Sequence, residues 1–345
     1  MLVYCLRRLA WMLPTLLLAS LVAFALLHLA PGTALDALGE GQDRQGLGSA
    51  ASLARFRSDH LLDRPLLVQY LDYLGPFDLS QRGHRWFGGS GERPFGGLLS
   101  GDLGQEMLRP GVSVGAQIAQ RLRITLPLMS AALFLGYLVA IPLGVFSAAR
   151  RGSRKDRALT FATFLLYALP VFWAGILLQT AFGRRGLDCL PVLWPSGAGE
   201  SGALEILRAA LLPVLCAGYA VAAYVSRQTR ASMIEVLESD WIRVLRSRGI
   251  SERRILWFHA LRNASAPLCV HLGQVIPALV AGSVLVETIF DIPGMGSYLH
   301  RGLLQREYDI VTGVVLVSAV FSCVGLLLSD LLQAALDPRI RHATR

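Results

Sequence analysis

RQTRASMIEVLESDWIRVLRSRGISERRILWFHALRNASAP, residues 227–267, is polar and rich in arginine, yet it lies between two apolar stretches long enough to cross a bilayer. Its pattern is ordered. Trp241, Ile242, Leu245 and Arg246 fall at helical spacing, so a helix would gather them on one face. Gly249 interrupts that helix where a C′ residue in the left-handed conformation is expected. Ser251 and Glu252 then precede a new run, ILWFHAL (255–261), which predicts a second helix with Ser251 as its N-cap. Two short helices about a glycine turn, held at a membrane face, form a rigid knob on which a partner can push. The same periodicity suits an amphipathic helix lying among lipid headgroups, and pattern alone does not separate the two.

Working outward, the chain is 53% hydrophobic and 17% charged, with a mean hydropathy of +0.49. That composition excludes an ordinary soluble domain. Apolar runs at Leu9–Ala30, Ile124–Ala149, Ala158–Phe182, Ala209–Val225, Ala266–Ile289 and Ile310–Ala335 predict an all-α integral membrane protein with six spans. The first run follows Arg7 and Arg8 and is too long for a signal peptide, so it reads as an uncleaved helix. Pro127 and Pro142 are expected to kink or break the second span. The net charge of +9 is carried almost wholly by arginine, since Lys155 is the only lysine. The excess sits at span edges, in RRGSRKDR (150–157) and in residues 227–265, where eight arginines face four acidic residues. The positive-inside rule accounts for it without nucleic acid and places both termini in the cytoplasm.

The long hydrophilic region after the first span is then exported. Within it, LLDRPLLVQYLDYL (61–74) predicts a helix with Pro65 in its first turn and Asp63 as N-cap. Residues 78–98 are rich in glycine and carry the Trp86-Phe87 pair, which reads as a loose loop or a partner contact. Boundaries follow: 1–122 for the first helix and its exported region, 123–336 for a five-helix core that includes the loop 227–265, and 337–345 for a cytoplasmic tail. The cysteines show no C-x-x-C and no disulfide framework. No G-x-x-x-x-G-K-[ST] occurs, so the chain holds no P-loop ATPase site, and neither H-E-x-x-H nor paired-carboxylate spacing supports catalysis or a metal.

The string DWIRVLRSRGISERRIL (240–256) followed by HALRNA (259–264) resembles the coupling loop of binding-protein-dependent ABC importers. More narrowly it resembles the peptide permeases, whose pattern reads roughly D-Y-V-R-T-A-R-A-K-G-L-S-x-R-x-V-x-x-x-H-A-L-R-N-A. LDRPLLVQY (62–70), GDLG (101–104) and ETIFDIPGMG (287–296) resemble further phrases of that family. The chain departs from it at Trp241, Leu245 and Ser247, and at Glu106, where a serine is usual. The resemblance implies an ABC importer type I-like permease in the bacterial inner membrane, with a long periplasmic loop after the first helix. It implies as partners a second homologous permease, two ATPase subunits, a solute-binding protein and membrane lipid, with ATP used by partner subunits and no cofactor in this chain. It also implies a coupling role for Asp240, Arg243, Arg246, Ser247, Arg248, Gly249, Ile250 and Ser251. The cargo stays open among peptides, nickel, glutathione and antimicrobial or microcin-like peptides. The rival class is a multi-span enzyme or receptor, which would need a catalytic constellation.

Glu287 is the ionisable residue of most interest, because charge near a span is costly unless it is paired or faces a cavity. It reads either as a group on the translocation path or as a structural anchor held by backbone or by an arginine such as Arg301. His28, His271 and Asp330 also fall in or beside apolar runs and read as satisfied core groups.

Overall fold

Helix is the only extended regular structure among the described residues, apart from one isolated bridge between Gln105 and Ser113. Apolar chain in a bilayer must satisfy its own backbone groups, and a helix does so within one segment. The computed structural model describes residues 2–29, 63–75, 97–109, 111–183, 187, 190–195 and 202–336. In chain order the helices are α1 (Leu2–Leu29), α2 (Leu66–Leu74), α3 (Val114–Ala149), α4 (Arg154–Ala168), α5 (Val171–Phe182) and α6 (Ala203–Leu237). There follow α7 (Asp240–Ser247), α8 (Glu252–Ala264), α9 (Ala266–Ala281), α10 (Val284–Ile289), α11 (Met295–Gln305) and α12 (Tyr308–Leu336).

Several expected spans are corrected. The second is continuous through Pro127 and Pro142. The third is not one helix: α4 and α5 meet at a bend of 97°. Leu169 precedes Pro170 and is extended (φ −74°, ψ 121°), as the clash with a proline ring demands. Tyr219 donates its hydroxyl to the Leu169 carbonyl at 2.7 Å, satisfying an acceptor that the break leaves open. The fourth span, expected over 17 residues from Ala209 to Val225, belongs to a helix of 35 residues. At about 52 Å that helix is longer than the roughly 30 Å hydrocarbon layer is thick, and from Arg227 on it is polar. The fifth breaks at Gly282 and Ser283 before α10. Among the described residues, three helices are long and apolar enough to cross a membrane, or up to five if each bent pair is one span; the apolar part of α1, Ala10–Ala25, is shorter. Helix α2 starts at Leu66, with Pro65 rather than Asp63 at the N-cap and no side-chain capping bond. Residues 30–62, most of 78–98, Cys189 and 337–345 lie outside the described residues.

The chain divides into two compact units, Met1–Arg123 with Ser297–Val320, and Ile124–Gly296 with Phe321–Arg345. In the first, Phe24, Tyr70, Tyr73 and Leu316 form a core cluster, and the Tyr70 hydroxyl meets Ser20 Oγ at 2.8 Å. In the second, α3 lies so close to α6 that a Cβ on Gly144 would stand 2.5 Å from Thr229 Cβ. Small residues permit that approach where apolar burial alone does not drive helices together.

Candidate functional site

The knob is built on the polar end of α6. Ser239, extended at φ −69° and ψ 148°, starts α7, with Asp240 in its first turn and Arg246 in its last, each favoured by the helix dipole. Gly249 takes φ +74°. Its N–H bonds Arg246 O at 3.0 Å and the Ile250 N–H bonds Leu245 O at 3.3 Å, the two reverse bonds of a Schellman motif. Nothing lies within 4 Å of where a Gly249 Cβ would point, so the glycine is required by backbone conformation and not by crowding. Ser251 occupies the N-cap position of α8 as expected, but its hydroxyl makes no capping bond. Instead Glu252 accepts from Arg246 Nε at 2.7 Å, tying the two arms across the turn.

The expected face of α7 is only half right. Ile242 is fully buried and Leu245 packs beside it, whereas Trp241 is 40% exposed and turns outward with Val244. Ile242, Ile255, Ala260 and Ala264 share one apolar cluster with Met233 of α6 and Val145 and Ala148 of α3. Full burial of each isoleucine is worth about 1.5–3 kcal/mol, so the knob is fastened to two long helices. Asp240 and Arg243 pair at 3.0 Å but are both largely exposed, which contributes little. Arg248 is exposed and the Ser247 hydroxyl turns back to Val244 O at 2.9 Å. Between the knob and its base lies a cavity of about 230 Å³, rimmed by two ion pairs, Arg151 with Glu238 and Arg246 with Glu252.

A second brace lies nearby. Asp156, in the basic stretch ahead of the apolar part of α4, is buried. It takes Arg230 Nε at 2.7 Å and Nη2 at 2.9 Å, Ser147 Oγ at 2.5 Å and the Gly152 N–H at 2.9 Å. The Arg230 hydrogen bond, helped by those of Ser147 and Gly152, holds its carboxyl well below the usual carboxylate range against the opposing effect of burial. This network joins the ends of α3, α4 and α6 near the knob.

Residues 140–342, which take in the knob and the Asp156 brace, match the family described as Binding-protein-dependent transport system inner membrane component. The chain belongs to that family. The oligopeptide transport system permease protein AppB of Bacillus subtilis is 32% identical over 98% of this chain and 99% of its own length. The dipeptide transport system permease protein DppB of Escherichia coli is 32% identical over 99% of both. The MetNI methionine ABC transporter, in an inward-facing crystal form, aligns with a TM-score of 0.50 at 14% identity, over 64% of this chain and 96% of that one. That likeness concerns the fold alone, an ABC importer type I permease.

Within this inner-membrane component, Glu287 is fully buried in α10 and accepts the Thr125 hydroxyl at 3.0 Å. Thr125 in turn accepts the Met295 N–H at 2.9 Å. A Cβ on Gly294 would stand 2.5 Å from Glu287 Cδ. The phrase ETIFDIPGMG is thus folded about its own carboxylate, with Asp291 at φ +52° in the turn. Arg301, named as a candidate partner, bonds Glu106 instead, at 2.9 Å. Glu106 is buried and also takes Arg109 Nε at 2.6 Å and the Tyr298 hydroxyl at 2.9 Å. Sequence reasoning noted Glu106 only as a departure from a family phrase and did not find Asp156 or Arg230. Glu106 reaches Tyr298 and Arg301 over 192 and 195 positions and Asp156 reaches Arg230 over 74, and no local period signals these long-range contacts.

Proposed function

We propose that this component forms half of the translocation pathway of an ATP-driven peptide importer, with α7 and the Gly249 turn as the surface on which the ATPases act. The carrying observation is mechanical: a turn fixed by its own reverse hydrogen bonds is packed onto the ends of two long helices. A push on α7 is therefore passed to α3 and α6 without being absorbed by a slack loop. The chain supplies a two-state equilibrium, and energy enters through partners that bind the two states differently. The peptide permeases among its relatives support a peptide cargo. In this reading a second permease, two ATPases and a solute-binding protein complete the importer. Asp240, Arg243, Arg246, Ser247, Arg248, Ile250 and Ser251 present or frame the contact. Glu287 serves as an anchor and not as a group on the path.

The test is uptake by the complete complex in proteoliposomes. ATP-dependent accumulation of labelled di- to oligopeptides is expected, and Glu287→Gln, which keeps the Thr125 bond and the shape, should retain it. Transport of nickel or glutathione but not peptides would move the cargo to those alternatives.

The proposed topology has six spans, formed by α1, α3, the bent pair α4 and α5, α6, α9 with α10, and α12, with both termini cytoplasmic. Reporter tags at Ser153 and Ser251 should stay cytoplasmic and a tag at Gly111 should be exported. An exported tag at Ser251 would overturn both the topology and the coupling surface.

A further inference from the structure

Helix α8 contains a π turn over Ile255–Ala260. Its i→i+5 bonding brings residues five apart nearly into register. Ile255 and Ala260 therefore enter the same apolar cluster, each fully buried. An unbroken α-helix would turn one of them away. The same device leaves Trp257 44% and Phe258 75% exposed, side by side on the opposite surface. Arg253 and Arg254, four residues before them, and Arg262, four after Phe258, are exposed as well.

The place of this surface follows from the chain. Helix α8 runs into α9 through a bend of 53°. Near the start of α9, Leu268 packs with Ala140 and Val225 in the apolar parts of α3 and α6. Phe258 lies eight residues before Ala266, about 12 Å along the axis. At that bend the distance projects to roughly 7 Å from the start of α9 along its axis. The headgroup layer is about 5–7.5 Å deep on each side of the hydrocarbon. Aromatic side chains beside arginines at that depth match the chemistry of the membrane interface, where rings sit at headgroup level and guanidiniums meet phosphates.

We propose that α8 is a lipid-facing arm of the knob: Trp257 and Phe258 seat in the headgroup layer, and Arg253, Arg254 and Arg262 hold anionic lipid phosphates beside them. The two arms then have different partners, α7 a protein and α8 the bilayer. This rests on α9 being a span and not on the partner assigned to α7.

The complete complex is placed in nanodiscs of phosphatidylglycerol and phosphatidylcholine, the latter either plain or brominated in the upper acyl chain. The emission of wild type minus that of Trp257→Phe reports Trp257, and the matching difference for Trp241→Phe is the control. The Trp257 emission should be lost in brominated discs and the Trp241 emission kept. In Arg254→Ala/Arg262→Ala, the quenching of Trp257 should weaken and no longer depend on the phosphatidylglycerol fraction. An unquenched Trp257 would overturn the proposal. So would quenching seen only after the ATPases are stripped away, which would assign the surface to them.

Discussion

Asp156→Ala is expected to leave the Arg230 guanidinium largely buried without its acceptor, and to cost about 3–5 kcal/mol. Arg230 keeps some exposure, with a side-chain accessibility of 28%, so the lower part of that range applies. In nanodiscs this should read as a fall in melting temperature on the order of 5–10 °C, with less folded protein recovered. The double change Asp156→Leu/Arg230→Met should restore part of the loss, because no charge is then buried alone. The pH dependence has a definite sign. The folded pKa lies below the unfolded one, so the stabilisation is fully present above about pH 4. It is lost as pH falls through the folded value, and Asp156→Asn should flatten that part of the curve. An unchanged melting temperature in Asp156→Ala would show that the brace contributes nothing.

Gly249→Val is expected to leave a protein that inserts and accumulates but does not transport. A β-branched residue at φ +74° is strained by about 1–3 kcal/mol. That is small against the packing of the helices but equals a typical coupling free energy between sites. Because no atom lies near the added Cβ, the effect isolates the backbone. Gly249→Asn, which tolerates the left-handed region, should retain most activity, and Gly249→Ala should fall between. The measurement is peptide uptake together with ATP hydrolysis stimulated by the binding protein, normalised to permease amount. Full stimulation and uptake by the valine variant would show that this turn is not the transmission element.

What the sequence revealed about this site was local. The Gly249 turn and the Ser251 start of α8 were legible because glycine, serine and helical spacing act within a few residues. The π turn was not, since an extra residue in a helix leaves no mark in an apolar pattern. Hydropathy saw only the apolar part of α6 and missed its polar extension, which continues as helix because it packs against α7 and α8. The bend at Leu169 had a readable signal in Pro170, but a continuous apolar run outweighed it. Asp156 with Arg230, and Glu106 with Tyr298 and Arg301, are pairings that only the folded chain brings together.

The bent pair α4 and α5, the third span of the proposed topology, also bears on how the protein is made. Helices α4 and α5 have 15 and 12 residues, about 22 and 18 Å, so neither half reaches across a hydrocarbon layer of roughly 30 Å. Only together are they long and apolar enough to do so. The bend leaves a carbonyl at Leu169 that lipid cannot satisfy, and the group that satisfies it, the Tyr219 hydroxyl, lies 50 residues further along. In the proposed topology, the final shape of this bent pair therefore waits on synthesis of α6, which supplies Tyr219.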